Sequence, residues 1–187
     1  MTTNWGGNYT YRASVVHRPS SLDELSEIVR HAERVRVLGT RHSFSDIADA
    51  PELISLDALP GEITIEGTTV TVPATLTYSQ LAERLREEGL ALRNLASLPH
   101  ISVGGAIATA THGSGNRKGN LATQVSVLEL MTLTLVVFVS HFRRYHLTHI
   151  RYGRNTDDFG DIQMIRIGVL LLRQFIQSIG LSDSRNR

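Results

Sequence analysis

The stretch VRVLGTRHSF, residues 35–44, decides how the rest of the chain is interpreted. Four residues with strand-forming character run directly into a glycine and then into a polar turn. The glycine can adopt backbone angles that are closed to other residues, and consecutive N–H groups in such a turn form a pocket for an anion such as a pyrophosphate. The turn also offers two hydroxyls, a fixed positive charge and an imidazole that is nucleophilic when neutral; these belong to Thr40, Ser43, Arg41 and His42. Taken by itself, however, the stretch favours an ordinary strand-to-loop exit with a solvated histidine.

A second stretch, ASLPHISVGGAIATATHGSG at residues 96–115, changes that interpretation. From residue 102 onward almost every side chain is small, so the backbone can approach a large flat ligand closely. The first N–H groups of any helix in this segment are expected to face an anion. The two stretches together therefore predict a binding site for a large anionic ligand.

These stretches, with NWGGN at residues 4–8 and DIA at residues 46–48, resemble a known family. It is the vanillyl-alcohol-oxidase family with its PCMH-type FAD-binding domain, and the likeness is greatest to the alditol (xylitol) oxidases and the sugar-1,4-lactone oxidases. The resemblance covers roughly residues 3–130. It implies an α+β fold of two lobes, at about residues 9–73 and 74–139, with the second lobe incomplete and FAD lying between them.

The resemblance also implies a set of FAD-binding residues in these two stretches. They are Val37, Leu38, Gly39, Thr40, Arg41, His42, Ser43, Ser97, Ser102, Gly105, Ala106, Ile107, Ala108 and His112. In the family, the histidine at the place of His42 is bonded through a ring nitrogen to the 8α-methyl of FAD; the simpler alternative is that it only hydrogen-bonds a phosphate. Ser97 matches a serine near the flavin and the sugar hydroxyls and is the expected catalytic residue, with a plain loop serine as the alternative. Arg41 stands where some relatives have a second glycine.

The reaction implied by the resemblance is the two-electron oxidation of an alcohol carbon. Hydride passes to the flavin, and dioxygen then reoxidises the flavin to give hydrogen peroxide. Polyols or sugar lactones are the expected substrates, and the cofactor performs the difficult step while the protein positions it.

The composition is that of a globular chain, with 41% hydrophobic and 20% charged residues in 187. The absence of cysteine excludes disulfides, zinc-finger spacing and a thiol nucleophile. A metal site at His42, His100 and His112 is not supported, because no carboxylate stands nearby in the sequence. A serine-hydrolase elbow is missing, and the scattered basic residues do not indicate nucleic-acid binding. The first residues lack a basic and apolar leader, so a cytoplasmic enzyme is expected.

Local patterns predict two helices and a hairpin. Ser21 with Glu24 fits a capping box before an apolar stripe at helical spacing, and Thr77 with Gln80 fits another before a helix that stops near Gly89. Residues 63–72 predict a hairpin that turns at residues 66 and 67. A lone tryptophan is most often a core aromatic, which is the expectation for Trp5.

The last part of the chain changes composition abruptly. Residues 1–139 hold all thirteen alanines, and residues 140–187 hold no Ala, Lys, Glu or Pro, and eight arginines against four aspartates. We interpret residues 140–187 as an atypical tail and hypothesise a shift of reading frame between residues 131 and 140. Translation of the other two frames tests this. Residues 132–139 favour a further strand, and residues 162–181 favour an amphipathic helix or a pair of short strands. Two arginines within residues 162–181 argue against a membrane span.

Two other readings of the whole chain stay open at this point. One is a fragment that holds FAD without catalysing a reaction. The other is an interaction protein whose arginine-rich tail binds an acidic partner.

Overall fold

The computed structural model describes residues 2–115, 117–131, 136–140, 160–162 and 164–171. The elements at its start are β1 (Val15–His17), α1 (Leu22–His31), β2 (Val35–Val37), β3 (Glu52–Ile54), β4 (Thr64–Glu66) and β5 (Thr69–Pro73). They are followed by α2 (Tyr78–Glu87), β6 (Leu90–Leu92), α3 (Val103–Ala108), β7 (Val125–Met131), β8 (Val136–Ser140), β9 (Gly160–Ile162) and β10 (Met164–Leu171). Helices and strands are mixed along the chain, as an α+β fold requires.

The first sheet is parallel and has the strand order β1-β3-β2. Helix α1 connects β1 to β2 and buries Leu25 and Val29 against the sheet. The Ser21 hydroxyl accepts from the Glu24 N–H, so half of the expected capping box forms. The other half of the box, a hydrogen bond from the Ser21 N–H to the Glu24 carboxylate, is wrong. That carboxylate accepts from the backbone N–H and the hydroxyl of Ser20 instead.

The second sheet has the order β4-β5-β10-β7-β8. The hairpin β4–β5 is antiparallel around Gly67, whose φ of 59° suits glycine. Helix α2 begins with the full capping box of Thr77 and Gln80 and buries Leu81 and Leu85. The sequence placed residues up to about 73 in the first lobe. The hairpin, which lies within that range, pairs with the second sheet instead. An alternating pattern predicts a hairpin without indicating the sheet that it joins.

The tail contributes strands to the second sheet. β10 lies between β5 and β7 and runs parallel to both, so strand is the correct alternative for residues 164–171 and amphipathic helix is wrong there. β8 pairs antiparallel with β7, which confirms the strand expected in this region. Residues 132–135, 141–159 and 172–187 lie outside the described residues, with most of the tail arginines. The reading-frame hypothesis concerns the gene and stays a prediction.

The two sheets meet where the binding stretches lie. Met131, at the end of β7, is buried with Leu25, Val37 and Ile54 of the first sheet and its helix. The Leu38 N–H donates to the Ile54 carbonyl over 2.8 Å, which extends the pairing of β2 by one residue before the chain turns away. Residues 39–43 therefore leave the carboxyl end of β2 beside the second lobe.

Candidate functional site

The loop formed by residues 39–43 lies against the start of α3, where Gly39 permits the contact and Gly105 leaves room for Ser102 in the first turn of the helix. A Cβ on Gly39 would lie 3.1 Å from the Ser102 hydroxyl oxygen, and one on Gly105 would lie 2.8 Å from the same atom. The Ser102 N–H donates to the Thr40 hydroxyl over 3.2 Å. The two stretches quoted from the sequence are thus joined by a direct hydrogen bond.

A substitution at Gly105 tests how closely the Ser102 hydroxyl approaches residue 105 within α3. We expect Gly105→Ala to lower the free energy of unfolding by about 1 kcal/mol, because steric overlap with Ser102 outweighs the better helix propensity of alanine. Thermal unfolding measures the change. Gly113→Ala is the matched control, since a Cβ there meets nothing within 4 Å. Equal stability of the two variants would show that the contact is loose.

The backbone of the loop is arranged to hold an anion. Arg41 has a φ of 63°, the left-handed conformation that glycine adopts most readily. Within the part of the chain that the structure describes, none of the N–H groups of residues 39–43 donates to a protein acceptor. Consecutive unpaired N–H groups around a left-handed residue form a concave anion site, and the guanidinium of Arg41 adds positive charge.

The N-terminal segment fixes this loop from the other side. The Trp5 N–H donates to the Arg41 carbonyl over 2.9 Å, and the Asn4 side-chain amide donates to the Ser43 carbonyl over 3.0 Å. Asn4 is buried and also bonds Asn8 and Tyr9, so its position is determined. The carbonyls of Arg41 and Ser43 are therefore occupied by the N-terminal segment.

His42 lies in a cluster of three rings, in which it stacks on Trp5 and is tilted against His100. Its centroid is 4.5 Å from that of Trp5 and 4.4 Å from that of His100. Burial lowers the pKa of His42, and the neighbouring His100 lowers it further. Among the residues that the structure describes, the buried Nε2 atom has no hydrogen-bond partner. His42 is thus held as a neutral imidazole, the form in which it is a nucleophile.

A cleft of about 180 Å³ lies over this loop. Small side chains of the second stretch form its other wall; they are Gly105, Ala106, Ala108, Thr109 and Thr111. Smaller and larger neighbouring cavities, of about 30 and 480 Å³, share Gly39 with it. All three cavities border the loop, and together they are called the groove below.

Most of the predicted site residues line this groove. They are Val37, Leu38, Gly39, Thr40, Arg41, His42, Ser43, Ser102, Gly105, Ala106 and Ala108. Ile107 is buried in the core instead. Ser97 and His112 are exposed and do not line the three cavities. The roles expected for these residues stay predictions.

The N–H groups at the start of α3 do not face the groove as the sequence suggested. Those of Val103 and Gly104 donate to the carbonyls of Leu76 and Ala74 over 2.8 Å each. That of Gly105 donates to the Ser102 hydroxyl. The expectation of an anion at this helix start is wrong, because residues 74–76 supply acceptors from outside the motif.

Three residues of the site were not predicted as site residues. Trp5 is 59% exposed and stacks on His42, so the expectation of a core aromatic is wrong. The His100 ring contacts that of His42, and Tyr11 lines the cleft. Trp5 belongs to the NWGGN phrase of the resemblance, which was a signal for the site; the alternation of Tyr9 and Tyr11 indicated only a strand.

Among the described residues, no three His, Cys, Asp or Glu side chains come together as metal ligands. No helix in the same part of the chain is long and apolar enough to cross a membrane.

The groove, with its row of N–H groups and its histidine of lowered pKa, lies in a chain of the flavin-binding class. The FAD binding domain family matches residues 13–134, and the chain belongs to this family. An alditol oxidase from Streptomyces sp. is 48% identical over 136 residues, which are 70% of this chain and 33% of that protein. A D-arabinono-1,4-lactone oxidase from Yarrowia lipolytica is 36% identical, over 68% of this chain and 26% of its own length. The chain therefore spans a quarter to a third of these curated relatives.

Solved structures support the fold. A cholesterol oxidase from B. sterolicum matches with a TM-score of 0.53 at 17% identity, over 67% of this chain and 28% of that one. A solvent-stable cholesterol oxidase matches with a TM-score of 0.52 at 23% identity, over the same shares. The PCMH-type FAD-binding fold and the resemblance to alditol and sugar-lactone oxidases are thereby confirmed.

Proposed function

We propose that this FAD-binding chain serves an oxidase that converts an alcohol group of a polyol or sugar lactone, with dioxygen as electron acceptor. The observation that carries the proposal is the row of unpaired N–H groups in residues 39–43 beside the neutral His42. Such a row fits a pyrophosphate, and the adjoining small-residue wall fits a flat ring system. The similarity to alditol and sugar-lactone oxidases supports the choice of substrate class.

In this proposal the residues of the groove bind and orient the cofactor. The N–H groups of residues 39–43 and the Arg41 guanidinium hold the pyrophosphate. Ser102 and Thr40 keep the loop against α3, and Ala106 and Ala108 leave room for the ring. FAD, when bound, supplies the two-electron chemistry. The protein contributes position and the exclusion of water from the ring.

We further propose that His42 holds FAD covalently through a ring nitrogen. Three observations support this role: the imidazole lies in the cleft wall, its low pKa keeps it neutral, and Nε2 has no partner among the described residues. Trp5 and His100 both pack against the His42 ring, so that it is oriented before FAD binds. A tethered flavin does not dissociate.

Ser97 and His112 have separate places in the proposal. Both are exposed, which suits contact with a substrate or with parts of the cofactor that project from the groove. We retain Ser97 as a proposed substrate-contacting residue and His112 as a proposed cofactor-contacting residue. The cytoplasmic location expected from the sequence stays a prediction.

The test begins with the visible spectrum of the purified chain before and after acid precipitation. We expect flavin absorption that stays with the precipitated protein. A chain without flavin bands, and without affinity for added FAD, would overturn the proposed function. Peroxide release with xylitol or sorbitol then tests the oxidase reaction. A flavin-loaded chain that releases none is a FAD-binding unit only, which is the alternative considered from the sequence.

A further inference from the structure

Tyr11 lines the main cleft and holds a polar atom that the fold leaves unused. The residue is 5% exposed, and its hydroxyl oxygen is buried without a hydrogen-bond partner among the described residues. Buried polar groups in folded proteins nearly always have partners, so each exception calls for an explanation. A ligand in the cleft is one.

The Tyr11 ring is held firmly in place. It is buried with Ala50 and Leu53, and Leu38 packs against the same cluster. Tyr9 meets it edge-on, with centroids 5.7 Å apart and planes at 78°. The ring therefore has little freedom to turn its hydroxyl toward another protein group. The position of the oxygen is set before any ligand arrives.

The surroundings favour the hydroxyl as a donor to an anion. Burial raises the pKa of Tyr11, so the phenol keeps its proton, although the positive charge of nearby Arg41 partly opposes that rise. Arg41 belongs to the loop whose N–H groups are unpaired, and both residues line the same cleft. A phosphate oxygen is a strong acceptor for such a donor.

We propose that Tyr11 is a further FAD-binding residue, whose hydroxyl donates a hydrogen bond to a pyrophosphate oxygen held by residues 39–43. The inference rests on the proposed function, because it requires FAD in this cleft. It adds an anchor from the N-terminal segment, outside the two stretches that predicted the site.

Tyr11→Phe tests the proposal, because it removes only the hydroxyl and has two effects of opposite sign. Without ligand, the variant is expected to melt roughly 2–4 °C higher, since a buried unpaired group is gone. Its affinity for FAD is expected to fall about tenfold, as for the loss of a hydrogen bond to a charged group. Both are measured on the full chain carrying His42→Ala, so that a covalent tether cannot hide a loss of affinity.

Tyr78→Phe in the same background is the matched control. The Tyr78 hydroxyl is also buried without a partner, but it lies in the core of the second lobe and lines none of the three cavities. We expect it to raise the melting temperature in the same way and to leave FAD affinity unchanged.

The outcomes separate this inference from the function on which it rests. Unchanged FAD affinity in Tyr11→Phe overturns the role of Tyr11 and leaves the proposed function standing. An equal loss in Tyr11→Phe and Tyr78→Phe also overturns it, because the effect would then be general. Failure of both the wild-type chain and the His42→Ala parent to bind FAD overturns the proposed function as well.

Discussion

Replacing His42 with alanine is expected to abolish acid-stable flavin entirely while the chain still folds and binds FAD reversibly. The variant removes the proposed point of attachment but leaves the N–H groups of residues 39–43 in place. It also deletes a buried imidazole nitrogen without a partner, which limits the cost to stability. The measurement is flavin absorbance in the protein pellet and in the supernatant after acid precipitation.

His31→Ala is the control for this variant. His31 is an exposed residue in the last turn of α1, where it pairs with Glu27, and it lies outside the groove. We expect it to keep all of the acid-stable flavin. Flavin that stays in the pellet of His42→Ala would place the attachment at another residue.

Trp5 offers a separate measurement on the same site. It is the single tryptophan of the chain and stacks on His42, so its fluorescence reports on the imidazole before FAD is added. In His42→Ala we expect the emission to lose its dependence on pH across the titration of His42. Emission that titrates as in the wild-type chain would show that Trp5 does not report on His42.

Features decided by neighbouring residues were well predicted from the sequence. The run of strand residues into Gly39, the capping box of Thr77 and the hairpin at Gly67 each depend on side chains a few positions apart. Local geometry of this kind leaves a recognisable pattern. The resemblance to a known family added the candidate site residues to this prediction, because the FAD-binding stretches are themselves short and contiguous.

Contacts between distant parts of the chain were not predictable in the same way. The rings of Trp5, His42 and His100 are in contact although the residues are far apart in sequence. No sequence pattern at any of these positions predicts contact with the other two. The N–H groups of α3 were expected to be free, but their acceptors come from residues 74–76, which belong to no motif. The central position of β10 likewise depends on pairing with β5 and β7. Such contacts are set by the topology of the fold.

The second large effect is expected at Asp49, outside the groove. Its side chain is 2% exposed and accepts hydrogen bonds from the Tyr9 hydroxyl at 2.7 Å and from the Arg12 Nε at 3.0 Å. The Arg12 N–H contributes two more contacts at 3.2 Å. This carboxylate therefore connects two parts of the chain. One is the N-terminal segment, which holds the loop of residues 39–43, and the other is the segment just before β3.

The ionisation of Asp49 is coupled to folding. Burial acts to raise the pKa of Asp49, but the hydrogen bonds from Tyr9 and Arg12 outweigh it and hold the pKa below its ordinary value. A depressed pKa in the folded state means that the charge stabilises the fold above the unfolded-state pKa, near 4. This stabilisation by the Asp49 charge is lost as the pH falls from about 4 through the pKa of Asp49 in the folded state.

Asp49→Asn is therefore expected to lower the free energy of unfolding by about 2–3 kcal/mol at pH 7, because charged hydrogen bonds are lost in a buried place. The difference from wild type should shrink as the pH falls below about 4, because Asp49 is then protonated first in the unfolded chain and, at lower pH, in the folded chain. Urea unfolding at several pH values measures both effects. Asp46→Asn is the control, since Asp46 faces the same arginine at 3.8 Å but is 68% exposed, and we expect a change within about 1 kcal/mol. A difference between Asp49→Asn and wild type that persists unchanged at pH 3 would mean that shape, and not charge, accounts for the stability.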